Sequence, residues 1–261
     1  INIYAHWAIV TFAFSLHSMT FGATRRETAF GLGGVLASLV TVYFTFRRAP
    51  LLAVALLAVV YAALIGRRRR QFVVSMLIAA LLVGGVLVTD PRYAQRIATI
   101  AQAGDLTNVG EDAQRVMQIG IRILRDHWVL GIGIGNLMIY SVDVFGTPRW
   151  LPHNIYLEFA DELGIGGLAI FLAFVGTALA RGWRSYRAHL GRGDLRRASL
   201  SASSLAALLA LLLAGFFQPI RFDFFIYVLA AMNSLAWEFT RPLQVDDAPA
   251  EAATALPATS P

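Results

Sequence analysis

His153 and Asn154 stand nine residues ahead of Gly164-Ile165-Gly166-Gly167, in the one long polar stretch of an otherwise apolar chain. Pro152 is a residue favoured at the first position of a helix, and Ile155 to Leu163 continue in helical pattern until Gly164. His153 is thereby expected near a helix N-terminus. The helix dipole and free amides there disfavour an imidazolium, so the neutral ring is the expected form. A neutral imidazole accepts a proton, as a general base must. The plainer alternative is a structural histidine bonded to a backbone carbonyl. Glu158, Asp161 and Glu162 follow on the same helix, and spacing does not choose which of them would orient the ring.

Arginines supply the second kind of chemistry, because a guanidinium fork grips phosphate oxygens in two places. Arg47 and Arg48 lie in a turn between two apolar segments, where they either form an anion site or reach outward to lipid headgroups. A helix is expected from Asp112 to Leu130, with Glu111 and Asp112 at its start and Gly131 ending it. Val116, Ile119, Ile123 and Leu130 fall on one face, and Arg115, Gln118, Arg122 and Arg125 on another, which reads as a solvated stripe or as a second anion-binding surface. Gly131, Gly133 and Gly135 follow in a spacing that is neither a dinucleotide nor a phosphate-loop fingerprint, so they are expected to form a tight turn. No metal-ligand motif or paired-carboxylate signature is present, and no cofactor is expected.

The elements that must position these groups belong to a membrane protein. Of the 261 residues 57% are hydrophobic and mean hydropathy is +0.61, in repeated apolar runs. The expected fold is all-α, a polytopic helical integral membrane protein with about seven spans: Ile3–Phe21, Thr28–Phe46, Ala49–Gly66, Phe72–Thr89, Leu163–Ala180, Leu200–Phe217 and Phe222–Phe239. This divides the chain into four transmembrane helices over 1–88, a long, partly helical outer loop over 89–163, three transmembrane helices over 164–239 and a disordered tail over 240–261. An isoleucine start without a charged leader reads as the C-terminal part of a longer protein.

All basic side chains are arginines, since the chain has no lysine. Arg67 to Arg70 and the series Arg181, Arg184, Arg187, Arg192, Arg196 and Arg197 mark cytoplasmic connections by the positive-inside rule. Alternation then puts Arg25 and Arg26 inside, and the Arg47–Arg48 turn and the 89–163 segment outside. The net charge of +6 is a topology signal rather than a nucleic-acid surface, and no nucleic-acid partner is expected. His6 and His17 are expected to pack within a span, and His127 and His189 to lie on the surface. With no cysteine, thiolate nucleophiles, thiolate metal sites and disulfides are excluded.

His153-Asn154, nine residues, then Gly164-Ile165-Gly166-Gly167 resembles the H-[NSQ]-x9-G-x-x-[GTY] signature of the O-antigen ligases. Arg115, Trp128 and the run Gly131-Ile132-Gly133-Ile134-Gly135-Asn136 are similar to the wider superfamily of O-antigen ligases, O-antigen polymerases and bacterial protein O-oligosaccharyltransferases. The resemblance covers about 40 to 167. The family's T-x-S-R-G element appears as Thr45-Phe46-Arg47-Arg48-Ala49, where Arg48 holds the arginine position while Arg47 and Ala49 replace serine and glycine. The R-x3-L element is approximated by Arg115 to Ile119.

The resemblance implies a glycosyltransferase of the bacterial inner membrane with its active site facing the periplasm. Its expected partners are a glycan on undecaprenyl diphosphate, an acceptor hydroxyl such as that of lipid A-core, and membrane lipid. It implies His153 as the base and Arg48 and Arg115 as the catalytic arginines. Arg47, Arg122, Asn154, Gly164 and Gly167 are the expected substrate-binding residues. The alternatives are a polymerase or protein transferase of the same superfamily and, from another class, a transporter or flippase for an anionic lipid. A transporter would place charged or broken positions inside the spans.

Overall fold

The computed structural model describes residues 2–45, 48–65, 73, 111–146, 154–217 and 224–240. Apart from Val73, the expected fourth span lies outside the described residues, as do the chain between it and residue 110 and the C-terminal tail from 241 onward. Every regular element described is a helix: α1 (Asn2–Phe21), α2 (Arg25–Phe44), α3 (Arg48–Leu64), α4 (Glu111–Asp126), α5 (Leu137–Phe145), α6 (Ile155–Gly191), α7 (Leu195–Ala214) and α8 (Phe224–Glu238). Thr24 is the N-cap of helix α2. The Thr24 hydroxyl accepts from the Glu27 amide at 3.2 Å, and the Glu27 carboxylate accepts from the Ala23 amide at 2.7 Å.

Helices α2, α6 and α7 are long and apolar enough to cross a membrane, and α3 and α8 are apolar but shorter. The chain is a multi-pass helical membrane protein. Burial separates the three long helices: 78% of the apolar window of α7 is buried inside the protein, against 22% for α2 and for α6. The central α7 touches α1, α3, α6 and α8, and so leaves α2 and α6 large surfaces for lipid. Where α1, α3 and α7 meet, the Tyr61 hydroxyl lies 2.6 Å from that of Thr20 and 2.7 Å from that of Ser199, which is 2.9 Å from His17 Nδ1. Hydroxyls buried among apolar side chains need such partners, and here they lock three helices into one register.

Contacts between helix ends sort the connections onto two faces. Arg196 pairs with Glu27 at 3.1 Å, the Tyr186 hydroxyl donates to the Leu64 carbonyl at 2.7 Å, and Arg192 donates to the Thr240 carbonyl at 2.6 Å. The end of α3, the start of α2, the α6–α7 turn and the end of α8 therefore share one face. On the other face, the Ile155 amide donates to the Gly215 carbonyl at 2.8 Å, joining the start of α6 to the end of α7. Chain alternation puts the start of α3, at Arg48, on this second face. The arginine pattern anticipates the same division.

Two expectations need correction. The helix foreseen from Asp112 to Leu130 ends at Asp126, and Leu130, expected on its apolar face, is 82% exposed. A longer helix would align the Trp128 carbonyl with its own axis, but that carbonyl is instead turned toward α6. His189, expected at the surface, is buried at the end of α6, where its own carbonyl accepts from the Asp194 amide that closes the α6–α7 turn.

Candidate functional site

Helix α6 starts at Ile155, three residues later than the proline suggests. Asn154 is its N-cap, with Oδ1 accepting from the Tyr156 amide at 3.0 Å and the Leu157 amide at 3.1 Å. An asparagine in extended conformation is among the best residues for this duty, because its side chain satisfies two otherwise unpaired amides. The Tyr156 hydroxyl donates to the Leu212 carbonyl at 2.8 Å, tying the first turn of α6 to α7. His153 lies outside the described residues, directly ahead of this anchored cap.

Two turns further on, α6 is interrupted. Gly164 has φ 68 and ψ −172, a conformation essentially restricted to glycine, and a Cβ there would overlap the Val129 carbonyl. In an unbroken helix the Asp161 and Glu162 carbonyls would accept from the amides of residues 165 and 166. Here the Ile132 amide donates to the Asp161 carbonyl at 2.9 Å and the Gly133 amide to the Glu162 carbonyl at 2.9 Å. In return, the Ile165 amide donates to the Trp128 carbonyl at 2.8 Å. The segment 128–133 thus clasps the kink through the backbone groups that the kink releases. A fourth bond, from the Gly135 amide to Glu162 Oε2 at 2.9 Å, closes the clasp.

The glycines expected to form a tight turn carry out this docking. Gly131, Gly133 and Gly135 all have positive φ, and Gly131 lies against the Glu162 carbonyl too closely for a side chain. Gly167 likewise has no room for a Cβ beside Leu163, whereas Gly166 faces open space. In the structure Gly164 and Gly167 serve the path of the backbone, which accounts physically for their spacing.

The clasp holds α4 against the first turns of α6. Gly120 of α4 packs on Leu157 and Asp161, and Ile123 is buried at the same contact. At its far end α4 steadies α5: His127 Nε2 lies 2.9 Å from the Tyr140 hydroxyl, and the Arg122 guanidinium sits 5.7 Å from the centre of the Phe145 ring. Gln118, Arg122 and Arg125 face solvent, as a polar stripe should. Arg115 is on the first turns of the same helix and Arg48 is the first residue of α3, each described by its backbone alone. Arg47 lies outside the described residues.

Glu158, Asp161 and Glu162 are all buried, a concentration of carboxyl groups that the sequence displays without ranking. The structure separates two of them. Glu162 closes the glycine clasp, while Asp161 faces Gly120 of the arginine-bearing helix and neither of its oxygens has a hydrogen-bond partner among the described residues. Asp161 precedes the apolar stretch that starts at Leu163. Among the described residues no three His, Asp or Glu side chains converge as a metal site.

Fold and site together define a class: a multi-pass helical membrane protein in which a charged amphipathic helix, bearing arginines, is latched by a glycine clasp onto the start of a long apolar helix. Comparison with protein families matches residues 33–172, more than half of the chain, to the family described as O-antigen ligase, and the chain belongs to that family. The matched segment includes Arg48, Arg115, the His153-Asn154 pair and both glycines of the kink. Membership implies a glycosyltransferase-type enzyme that acts on a lipid-linked glycan and an acceptor. No curated protein matches the chain significantly.

Proposed function

We propose that this protein moves a glycan from undecaprenyl diphosphate to an acceptor hydroxyl, that of lipid A-core, at the periplasmic face of the bacterial inner membrane. In this reading the chain crosses the membrane about seven times and the 89–163 segment is the outward catalytic loop. The observation that carries it is the clasp, which fixes the helix bearing Arg115 and Arg122 against the turns of α6 that directly follow His153.

The acceptor oxygen attacks the anomeric carbon, the bond from that carbon to the phosphate oxygen breaks, and the diphosphate departs with the electron pair. Negative charge grows on the leaving group. Arg48 and Arg115, assisted by Arg47 and Arg122, stabilise it in the role that a metal ion fills in other transferases. His153 takes the proton of the attacking hydroxyl. Asn154 serves that base by capping the helix behind it, and Gly164 and Gly167 serve it through the kink.

Replacement of His153 by alanine is the test. Transfer falls by roughly 100-fold or more while the protein still accumulates in the membrane, going by the usual worth of a general base. Full transfer by that variant overturns the assignment. The surface glycans of a strain lacking the gene report the acceptor: unmodified lipid A-core beside free lipid-linked polymer marks a ligase, whereas single-repeat capping marks a polymerase.

A further inference from the structure

Immediately after the polar end of α4, the chain changes character. Arg125, Asp126 and His127 are followed by Trp128, Val129 and Leu130, all exposed, and then by Ile134, which is 69% exposed. Helix α5 continues the pattern. Leu137 and Ser141 turn inward, while Met138, Ile139 and Val142 are exposed on the outward side. A contiguous apolar surface of this kind is rare on a protein face bathed in water, where it marks an interaction site.

The backbone fixes the level at which this surface lies. The Ile165 amide bonds the Trp128 carbonyl, and the Asp161 and Glu162 carbonyls bond Ile132 and Gly133. Residues 128–133 are therefore level with the first turn of the apolar part of α6, whose own exposed side chains, Ile165 and then Ile170 at 74%, face lipid. The patch continues that lipid-facing surface sideways. With nine residues, α5 is far too short to span a bilayer and suits a helix lying in its boundary. Trp128 and Tyr140 are the side chains that favour this depth, with an apolar ring and a polar edge.

We propose that the 128–142 segment is a membrane-docking surface. Its exposed Trp128, Val129, Leu130, Ile134, Ile139 and Val142 rest among the acyl chains of the leaflet that α6 enters. Docking would hold the arginine-bearing helix α4 at the height of a lipid headgroup. The surface rests on the placement of these side chains and not on which residue performs the chemistry.

The absence of cysteine makes single-cysteine labelling direct. Nitroxides at Leu130→Cys, Ile134→Cys and Ile139→Cys are compared with Ile170→Cys, on the lipid-facing side of α6, and Arg125→Cys, on the polar face of α4. The full chain is held in phosphatidylethanolamine–phosphatidylglycerol bilayers, and collision rates with oxygen and with a water-soluble nickel chelate are measured. The three loop labels are expected to behave like Ile170, favouring oxygen. Labels that behave like Arg125 overturn the proposal, as do labels that become lipid-like only when a lipid-linked glycan is added, since the surface would then belong to the donor's polyprenyl tail. Quenching of Trp128 by spin-labelled lipids, with the other four tryptophans replaced by phenylalanine, reads the same depth without altering the loop.

Discussion

Replacing Gly164 by alanine tests whether the clasp organises the site. At φ 68 and ψ −172 a side chain costs about 1–3 kcal/mol in backbone strain alone. The new Cβ would also overlap the Val129 carbonyl, so the loop must retreat or the kink must straighten. Retreat breaks three backbone bonds, Ile165 to Trp128, Ile132 to Asp161 and Gly133 to Glu162. Straightening restores two of them inside the helix, leaving a net loss of one, worth about 1 kcal/mol. That loss accompanies opening in parent and variant alike, so the strain alone shifts the balance: the latched state is disfavoured by about 1–3 kcal/mol, roughly a 5- to 140-fold shift toward the open loop at 1.4 kcal/mol per tenfold. The packing of α1, α3, α7 and α8 does not depend on the clasp, so the variant still folds into the membrane. Limited proteolysis is expected to cut between residues 128 and 136 far faster than in the parent, with glycan transfer lost in parallel. Gly166→Ala, which meets open space, is the matched control and is expected to behave as the parent. Equal protection of the loop in Gly164→Ala and Gly166→Ala, with transfer intact in both, would refute the reasoning.

Other perturbations probe separate parts of the molecule. Asn154→Ala removes the cap of α6 and is expected to cost about 0.5–2 kcal/mol locally, seen as faster amide exchange at Tyr156 and Leu157, with Asn154→Ser restoring most of the protection. Tyr61→Phe strips the shared partner from Thr20 and Ser199 and should destabilise the bundle by about 1–3 kcal/mol, measured as a lower melting temperature with the clasp still protected.

Much of the architecture is legible in the chain itself, because a bilayer restricts spanning segments to helices and because arginines gather in the connections of one face. Apolar runs announce the helices, and the grouping of Arg25 and Arg26 with the Arg181 to Arg197 series matches the face on which the helix ends meet. The candidate site is legible as residue types at a spacing, His153-Asn154 ahead of Gly164 and Gly167, and that spacing carries the family. Pro152 pointed to an earlier helix start, and the duty of Asn154 as the cap emerges only in the structure.

What sequence could not decide was which distant segments share backbone bonds. Nothing local to Gly131, Gly133 and Gly135 says that the amides of Ile132 and Gly133 satisfy carbonyls of a helix some thirty residues on, or that the Gly135 amide meets the Glu162 carboxylate, because an isolated glycine run is equally compatible with a free turn. The same long-range pairing ends α4 at Asp126, exposes Leu130 and selects Glu162 and Asp161 from three adjacent acids. Periodicity reports the face that one helix prefers. Only the folded chain shows which unpaired carbonyls a kink offers and which loop meets them, since that depends on two segments arriving together.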